Sequence, residues 1–163
     1  MLEIAGLPVH ILLIHGVVVL GPLAGIAAVA FALVRRSRRF LAWPLGLLAL
    51  LLVPLSVLTA EAGEQLEKAR PASQLIEEHG HQGSFLRYVT ALFLVAVAVQ
   101  IAAAFPSLLT RQPAFRGLRG VLESRWLGPA TSVVGVLAGI FLVYQTIVTG
   151  HSGAVSVWAG RQP

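Results

Sequence analysis

The chain of 163 residues contains no cysteine, no aspartate and only one methionine. Without cysteine there is no disulfide, thiolate metal site, iron–sulfur ligation or cysteine nucleophile. Without aspartate, EF-hand, Walker-B and aspartyl chemistries lack an essential residue. Charged residues make up 12% of the chain and hydrophobic residues 56%, whereas an average soluble domain has about twice that charged fraction. The composition excludes a water-soluble globular domain, a disordered chain and a coiled coil.

Long apolar runs make up most of the chain. A run of about 18 or more apolar residues is typical of a membrane-spanning helix, and four segments qualify, at about residues 8–34, 41–60, 85–105 and 126–149. The helix of the third is expected to begin earlier, so that this span covers about residues 74–105. The second is expected to continue as helix to about residue 70, because helix-forming residues follow it. We therefore expect a single domain over residues 1–163, an all-α integral membrane protein folded as an antiparallel bundle of four transmembrane helices.

Arginine placement predicts the orientation of this bundle. The loops after the first and third spans hold 8 of the 12 basic residues, namely Arg35, Arg36, Arg38, Arg39, Arg111, Arg116, Arg119 and Arg125. The positive-inside rule places these loops in the cytoplasm, so both termini face outward, N-out and C-out. The net charge of +5 comes with no basic helix, aromatic platform or RNA motif, so we expect the lipid bilayer and no nucleic acid as partner.

All five histidines fall at or near the expected outer ends of the spans: His10, His15, His79, His81 and His151. Titratable residues in or near a bilayer are costly and tend to mark function. His10 and His15 are about 140° apart around a helix, and we expect His15 to face the bundle, since an imidazole facing lipid has no partner. His79 and His81 are about 200° apart, so only one can point inward. The glycines beside His151 are expected to turn the chain and bring this imidazole back over the bundle mouth.

Two glutamates accompany the histidines. Glu61 and Glu64 lie three positions apart, on one face of the second helix. Either could bind a metal, orient a histidine through its second nitrogen, or pair with Arg87. The predicted site therefore combines His15, one of His79 or His81, His151, and Glu61 or Glu64. His10 and Arg87 are secondary candidates, together with whichever of His81 and Glu61 stays outside the site.

Several short motifs carry a resemblance to a known family. Residues 7–15, with the sequence LPVHILLIH, resemble the first-helix signature of a bacterial membrane protein family, the domain of unknown function two-two-three-one. Residues 62–64 (AGE), 78–83 (EHGHQG) and 150–158 (GHSGAVSVW) are similar to its other landmarks. This chain differs from common members because no proline directly follows either histidine of the first helix.

The resemblance implies a four-helix protein of the bacterial inner membrane with outward-facing histidines. Some family members are fused to Rieske-type or cytochrome c domains, which implies respiratory electron transfer. By resemblance, the motif positions in this chain are His10, His15, Glu64, His79 and His151.

Three interpretations of the function stay open. The first is a small haem b protein that transfers electrons at the outer face, with His15, His79 and His151 as ligand candidates and respiratory redox proteins or quinol as partners. The second is a His/Glu site for a Zn, Cu or Fe ion, formed by His15, His79, His151 and Glu64. The third is an accessory structural subunit of a respiratory membrane complex, in which the histidines and glutamates satisfy each other. Whether the protein is an enzyme is left open.

Overall fold

The computed structural model describes residues 3–4, 6–111, 117, 119–122 and 124–159. Within these residues the chain forms a short β-hairpin followed by helices. The elements are β1 (Glu3–Ile4), β2 (Leu7–Pro8), α1 (Val9–Leu33), α2 (Arg38–Lys68), α3 (Gln74–Ala104), α4 (Pro106–Thr110), α5 (Arg119–Leu122) and α6 (Leu127–Trp158). The hairpin pairs Glu3 with Pro8 and turns at Gly6, whose φ of 78° favours glycine.

Four of these helices, α1, α2, α3 and α6, are each long and apolar enough to span a membrane. This finding fits a membrane protein, and the four helices coincide with the four apolar segments of the sequence. The ends of α1 and α3 agree with the prediction to within a residue, and α2 continues to Lys68 as expected. A turn over residues 69–73 then leads into α3.

The end of α6 differs from the prediction. From the sequence we expect the helix to end at Thr149 and the chain to turn at the glycines that follow. In the structure, α6 continues without a break to Trp158. Gly150 and Gly153 are helical positions, and Gly153 leaves room for a side chain of α3. The physical reason is packing: a glycine inside a helix lets a neighbouring helix approach closely, and that contact outweighs the low helix propensity of glycine.

The four long helices pack in a ring, in which α1 contacts α2 and α6, and α3 contacts the same two helices. Interhelical contacts identify which ends lie together. His10 in the first turns of α1 lies against Gly63 near the end of α2, and His79 near the start of α3 lies against Gly153 near the end of α6. This end of the bundle also carries the other three histidines, and we call it the histidine end.

The two halves of the bundle interior are filled differently. Hydrocarbon fills most of the half away from the histidine end, where the largest fully buried side chains include Phe31, Leu45 and Phe93. Gln100 is a polar exception there, and its buried side-chain amide has no hydrogen-bond partner among the described residues. Six of the eight buried polar residues described lie from mid-depth to the histidine end: Ser56, Thr59, Thr90, Gln145, Thr146 and Thr149. They bond within or between helices, as in the 2.8 Å hydrogen bond between the hydroxyls of Ser56 and Thr90, since a buried polar group without a partner is costly.

An arginine stabilises the opposite end of the bundle, where α1 ends and α2 begins. Arg38, in the first turn of α2, donates hydrogen bonds to the carbonyl oxygens of Phe31 (3.1 Å) and Ala32 (2.9 Å) at the end of α1. Its guanidinium also lies 5.9 Å from the centre of the Phe31 ring. A cation near the last carbonyls of a helix is favourable because these groups lack intrahelical partners. Arg38 therefore fixes the junction between α1 and α2.

Candidate functional site: a histidine-lined cavity

A cavity of about 800 Å³ lies at the histidine end. All four long helices contribute to its wall, and much of the lining is apolar, with residues such as Ile14, Val18 and Val157. Four of the five histidines line it, namely His10, His15, His79 and His151. A volume of this size is within the range of about 300–1,000 Å³ that is typical of small-molecule and cofactor sites.

Two of these histidines form a close pair across the bundle. The ring centres of His10 on α1 and His79 on α3 are 6.0 Å apart, and the ring planes are at 74° to each other. Both side chains are half-buried. The sequence assigned His10 only a secondary role and His15 the central one, so this pairing was not anticipated.

Hydrogen bonds fix the tautomer of both rings. Nδ1 of His10 lies 2.9 Å from the carbonyl oxygen of Thr59, which can only accept, so Nδ1 carries the hydrogen. Nδ1 of His79 lies 3.0 Å from Oγ of Ser152, and that hydroxyl donates its own hydrogen to the carbonyl of Thr149 at 2.9 Å. Ser152 therefore accepts from His79. With the hydrogens on Nδ1, both neutral rings keep a lone pair on Nε2.

A glycine gives each ring its space. A Cβ added at Gly63 would lie 3.0 Å from Cε1 of His10, and one added at Gly153 would lie 2.9 Å from Cε1 of His79. Any side chain at either position would push the imidazole away from its present place. An isolated glycine inside a helical pattern often has such a packing reason, and this signal in the sequence could have identified both positions.

The other three histidines are exposed. The inward orientation expected for His15 is wrong, because its ring lies on the outside of α1 and bonds through Nδ1 to the carbonyl of Ile11 in its own helix. The expected fold-back of His151 over the bundle mouth is also wrong, since α6 continues as a helix and carries this side chain on its exposed side. His81 lies on the exterior of α3, 3.9 Å from Glu77.

The glutamates and Arg87 take different places. Glu64 lines the cavity, and its carboxylate lies 3.9 Å from Nη1 of Arg87, which is one of the pairings the sequence suggested. Nε of Arg87 is buried and has no hydrogen-bond partner within the described part of the chain. Glu61 is exposed. Arg70, at the end of the α2–α3 hairpin, also lines the cavity.

The residues predicted to bind a metal ion do not come together as a set of ligands. His15, His79, His151 and Glu64 all line the cavity, but no group of three or more His, Asp or Glu side chains that could hold a metal ion occurs within residues 3–4, 6–111, 117, 119–122 and 124–159. What the structure brings together is a pair of imidazoles and not a set of three or four ligands.

Comparisons with protein families, with curated proteins and with solved structures find no match to this chain. Membership of the family with the number two-two-three-one therefore stays a prediction.

Proposed function

We propose that this protein is a haem b protein that transfers electrons at the outer face of a bacterial inner membrane, with His10 and His79 as the ligands. The observation that carries the proposal is the pair of imidazoles described above, which come from two facing helices and have their Nδ1 atoms engaged. Cofactor sites in helical bundles are commonly built from side chains on facing helices.

The spacing of the two rings supports ligation of one metal by both. Two imidazoles on facing helices, held close together with Nε2 unprotonated, could both bind one metal centre. The ring centres of His10 and His79 are separated by 6.0 Å. Two histidines would suffice to hold a haem, whereas a zinc ion takes three or four protein ligands. The donor set therefore fits haem better than a bare ion.

Other residues of the chain have supporting roles in this proposal. Thr59 and Ser152 hold the two rings in orientation and keep Nε2 unprotonated, the usual arrangement for ligating histidines. The largely apolar lining is suited to contact the flat ring of the cofactor. Arg70 at its rim is suited to pair with the carboxylates of the cofactor. Haem, when bound, supplies one-electron chemistry.

We further propose that the four helices cross the membrane antiparallel, with both termini and the histidine end outside. Support comes from the arginines, which cluster in the loops at the opposite end, and from contacts such as His10 with Gly63 and Arg38 with Phe31. In this orientation the cavity is accessible to respiratory redox proteins outside the cytoplasm.

The test of haem binding is an absorption spectrum of the detergent-purified protein, oxidised and then reduced, together with haem extraction. We expect a Soret band and stoichiometric haem b in the wild type and in His81→Ala, whose side chain is exposed. His10→Ala and His79→Ala should lose the haem. Added imidazole should restore the band in both variants, which a misfolded protein would not permit.

Other results would contradict the proposal in distinct ways. Colourless wild-type protein with stoichiometric Zn, Cu or Fe by elemental analysis would favour the metal-ion alternative. Colourless protein without metal would favour an accessory structural subunit. Full haem content in both His10→Ala and His79→Ala would mean that haem is held elsewhere.

The orientation can be tested directly because the chain has no cysteine. Single cysteines at the exposed positions Gln74 and Ser124 lie at opposite ends of the bundle. In intact spheroplasts, a membrane-impermeant maleimide should label Gln74→Cys and leave Ser124→Cys unlabelled until the membrane is broken. The reverse pattern would show that the histidine end faces the cytoplasm.

A further inference from the structure

Part of the cavity lies between α1 and α6. The two helices are in close contact where Gly25 meets Gly139, since a Cβ added at either glycine would lie 2.6 Å from the carbonyl oxygen of the other. Toward the histidine end, residues of both helices line the cavity, among them Val18 and Ile147. We call the part of the cavity between α1 and α6 the wedge.

The wedge is part of the histidine-lined cavity and opens on the outside of the bundle. Val18 and Val19 of α1 and Ile147 and Val157 of α6 line the cavity and are exposed on the helix surface. In a bilayer this surface faces lipid, so an apolar molecule can enter the cavity sideways from the membrane. The same cavity is lined by His10 and His79.

The wedge contains a hydrogen-bond acceptor. His15 lines the cavity from α1, and its Nδ1 donates to the carbonyl of Ile11. In the neutral ring Nε2 is therefore a lone-pair acceptor, and among the described residues no donor satisfies it. A hydroxyl group is the complement of such an acceptor, whereas a carbonyl group is not.

The charges of the lining favour a neutral head group. Apart from the histidines, the charged residues lining the cavity are Glu64, Glu67 and Arg70, and Glu64 lies 3.9 Å from Nη1 of Arg87. These charges balance, so the lining has no excess of positive charge that would attract a phosphate or a fatty-acid carboxylate in place of a neutral head group with hydroxyls. The lining also includes the indole of Trp158, and aromatic side chains are suited to contact a flat ring.

We propose that the wedge binds a lipid-soluble hydroquinone, with one hydroxyl of the head group donating to Nε2 of His15 and the apolar tail in the bilayer. The binding requires only the wedge. Its relevance to electron transfer rests on the proposed function, because the head group then shares a cavity with the His10–His79 pair.

The test measures binding of decylubiquinol, kept reduced, to haem-free protein in nanodiscs of neutral lipid. Trp43 and Trp126 are replaced by phenylalanine so that the fluorescence of Trp158 reports occupancy of the cavity. We expect saturable binding. His15→Ala should weaken it about fivefold, the effect of losing one neutral hydrogen bond, and His15→Gln, which retains an acceptor, should restore most of it.

Two variants of α6 test the location. Ala154→Phe adds a ring inside the cavity, where Ala154 is a lining residue, and should abolish binding. Ile140→Phe makes a similar change at an exposed position of the same helix outside the cavity lining and should leave binding unchanged.

Several outcomes would overturn the proposal. They are non-saturable partitioning, equal affinity of His15→Ala and wild type, equal effects of Ala154→Phe and Ile140→Phe, or equal competition by a simple fatty alcohol. Failure of the two proposals can be distinguished. Haem in the purified protein without hydroquinone binding overturns only the present one, and hydroquinone binding to a protein that never takes up haem overturns only the haem assignment.

Discussion

The glycine under His79 offers a quantitative test of the site. Replacing glycine by alanine inside a helix stabilises it by about 1 kcal/mol through helix propensity. In Gly150→Ala the added methyl group meets only an ordinary contact, 3.8 Å from Val18, so this gain should be realised. In Gly153→Ala the methyl group would lie 2.9 Å from Cε1 of His79 and 3.3 Å from both ring nitrogens. The ring then moves and the bond from Nδ1 to Ser152 is lost.

The loss of that hydrogen bond costs about 1 kcal/mol, which cancels the gain in propensity. We therefore expect Gly153→Ala to have about the stability of the wild type, about 1 kcal/mol below Gly150→Ala, when unfolding free energies are measured in mixed micelles. Removing an interaction that orients a metal-ligating histidine typically lowers affinity about 10- to 100-fold. Haem titration should show this loss for Gly153→Ala and not for Gly150→Ala.

A third variant separates the two effects of this substitution. Ser152→Ala removes the hydrogen-bond partner of His79 without adding a clash, and it should reproduce the loss of haem affinity. If Gly153→Ala is as stable as Gly150→Ala and binds haem like the wild type, the reasoning from the position of the His79 ring is refuted.

Two further predictions concern the scaffold. Gly139→Ala should destabilise the fold by about 1–3 kcal/mol in the same unfolding assay, because the new methyl group meets the backbone carbonyl of Gly25 at 2.6 Å; Gly128→Ala, with no atom within 4 Å, is the matched control. Arg38→Met should cost about 1–3 kcal/mol, since it removes both hydrogen bonds to the last turn of α1, whereas the same change at the exposed Arg39 should not alter stability. Equal stability of variant and control in either pair would contradict the corresponding contact.

The sequence predicted the four spans well because hydrophobic length depends on the chain alone. It was less successful with the histidines, because which of them meet depends on how the helices are rotated against each other. His15 satisfies Nδ1 within its own helix, so the argument that it needs a partner inside the bundle did not apply. The pairing of His10 with His79 depends on space at Gly63 and Gly153, and a glycine does not reveal which ring it accommodates.

The unequal filling of the two halves of the bundle has an electrical consequence. The half away from the histidine end is mostly hydrocarbon, and its described buried polar side chains are Gln100 and Thr131. In a membrane this half has a low dielectric constant, so most of the transmembrane voltage falls across it. A charge that enters or leaves the cavity at the other end crosses only a small part of that field. If haem binds there as proposed, its oxidation and reduction from the same side would move little charge through the membrane voltage.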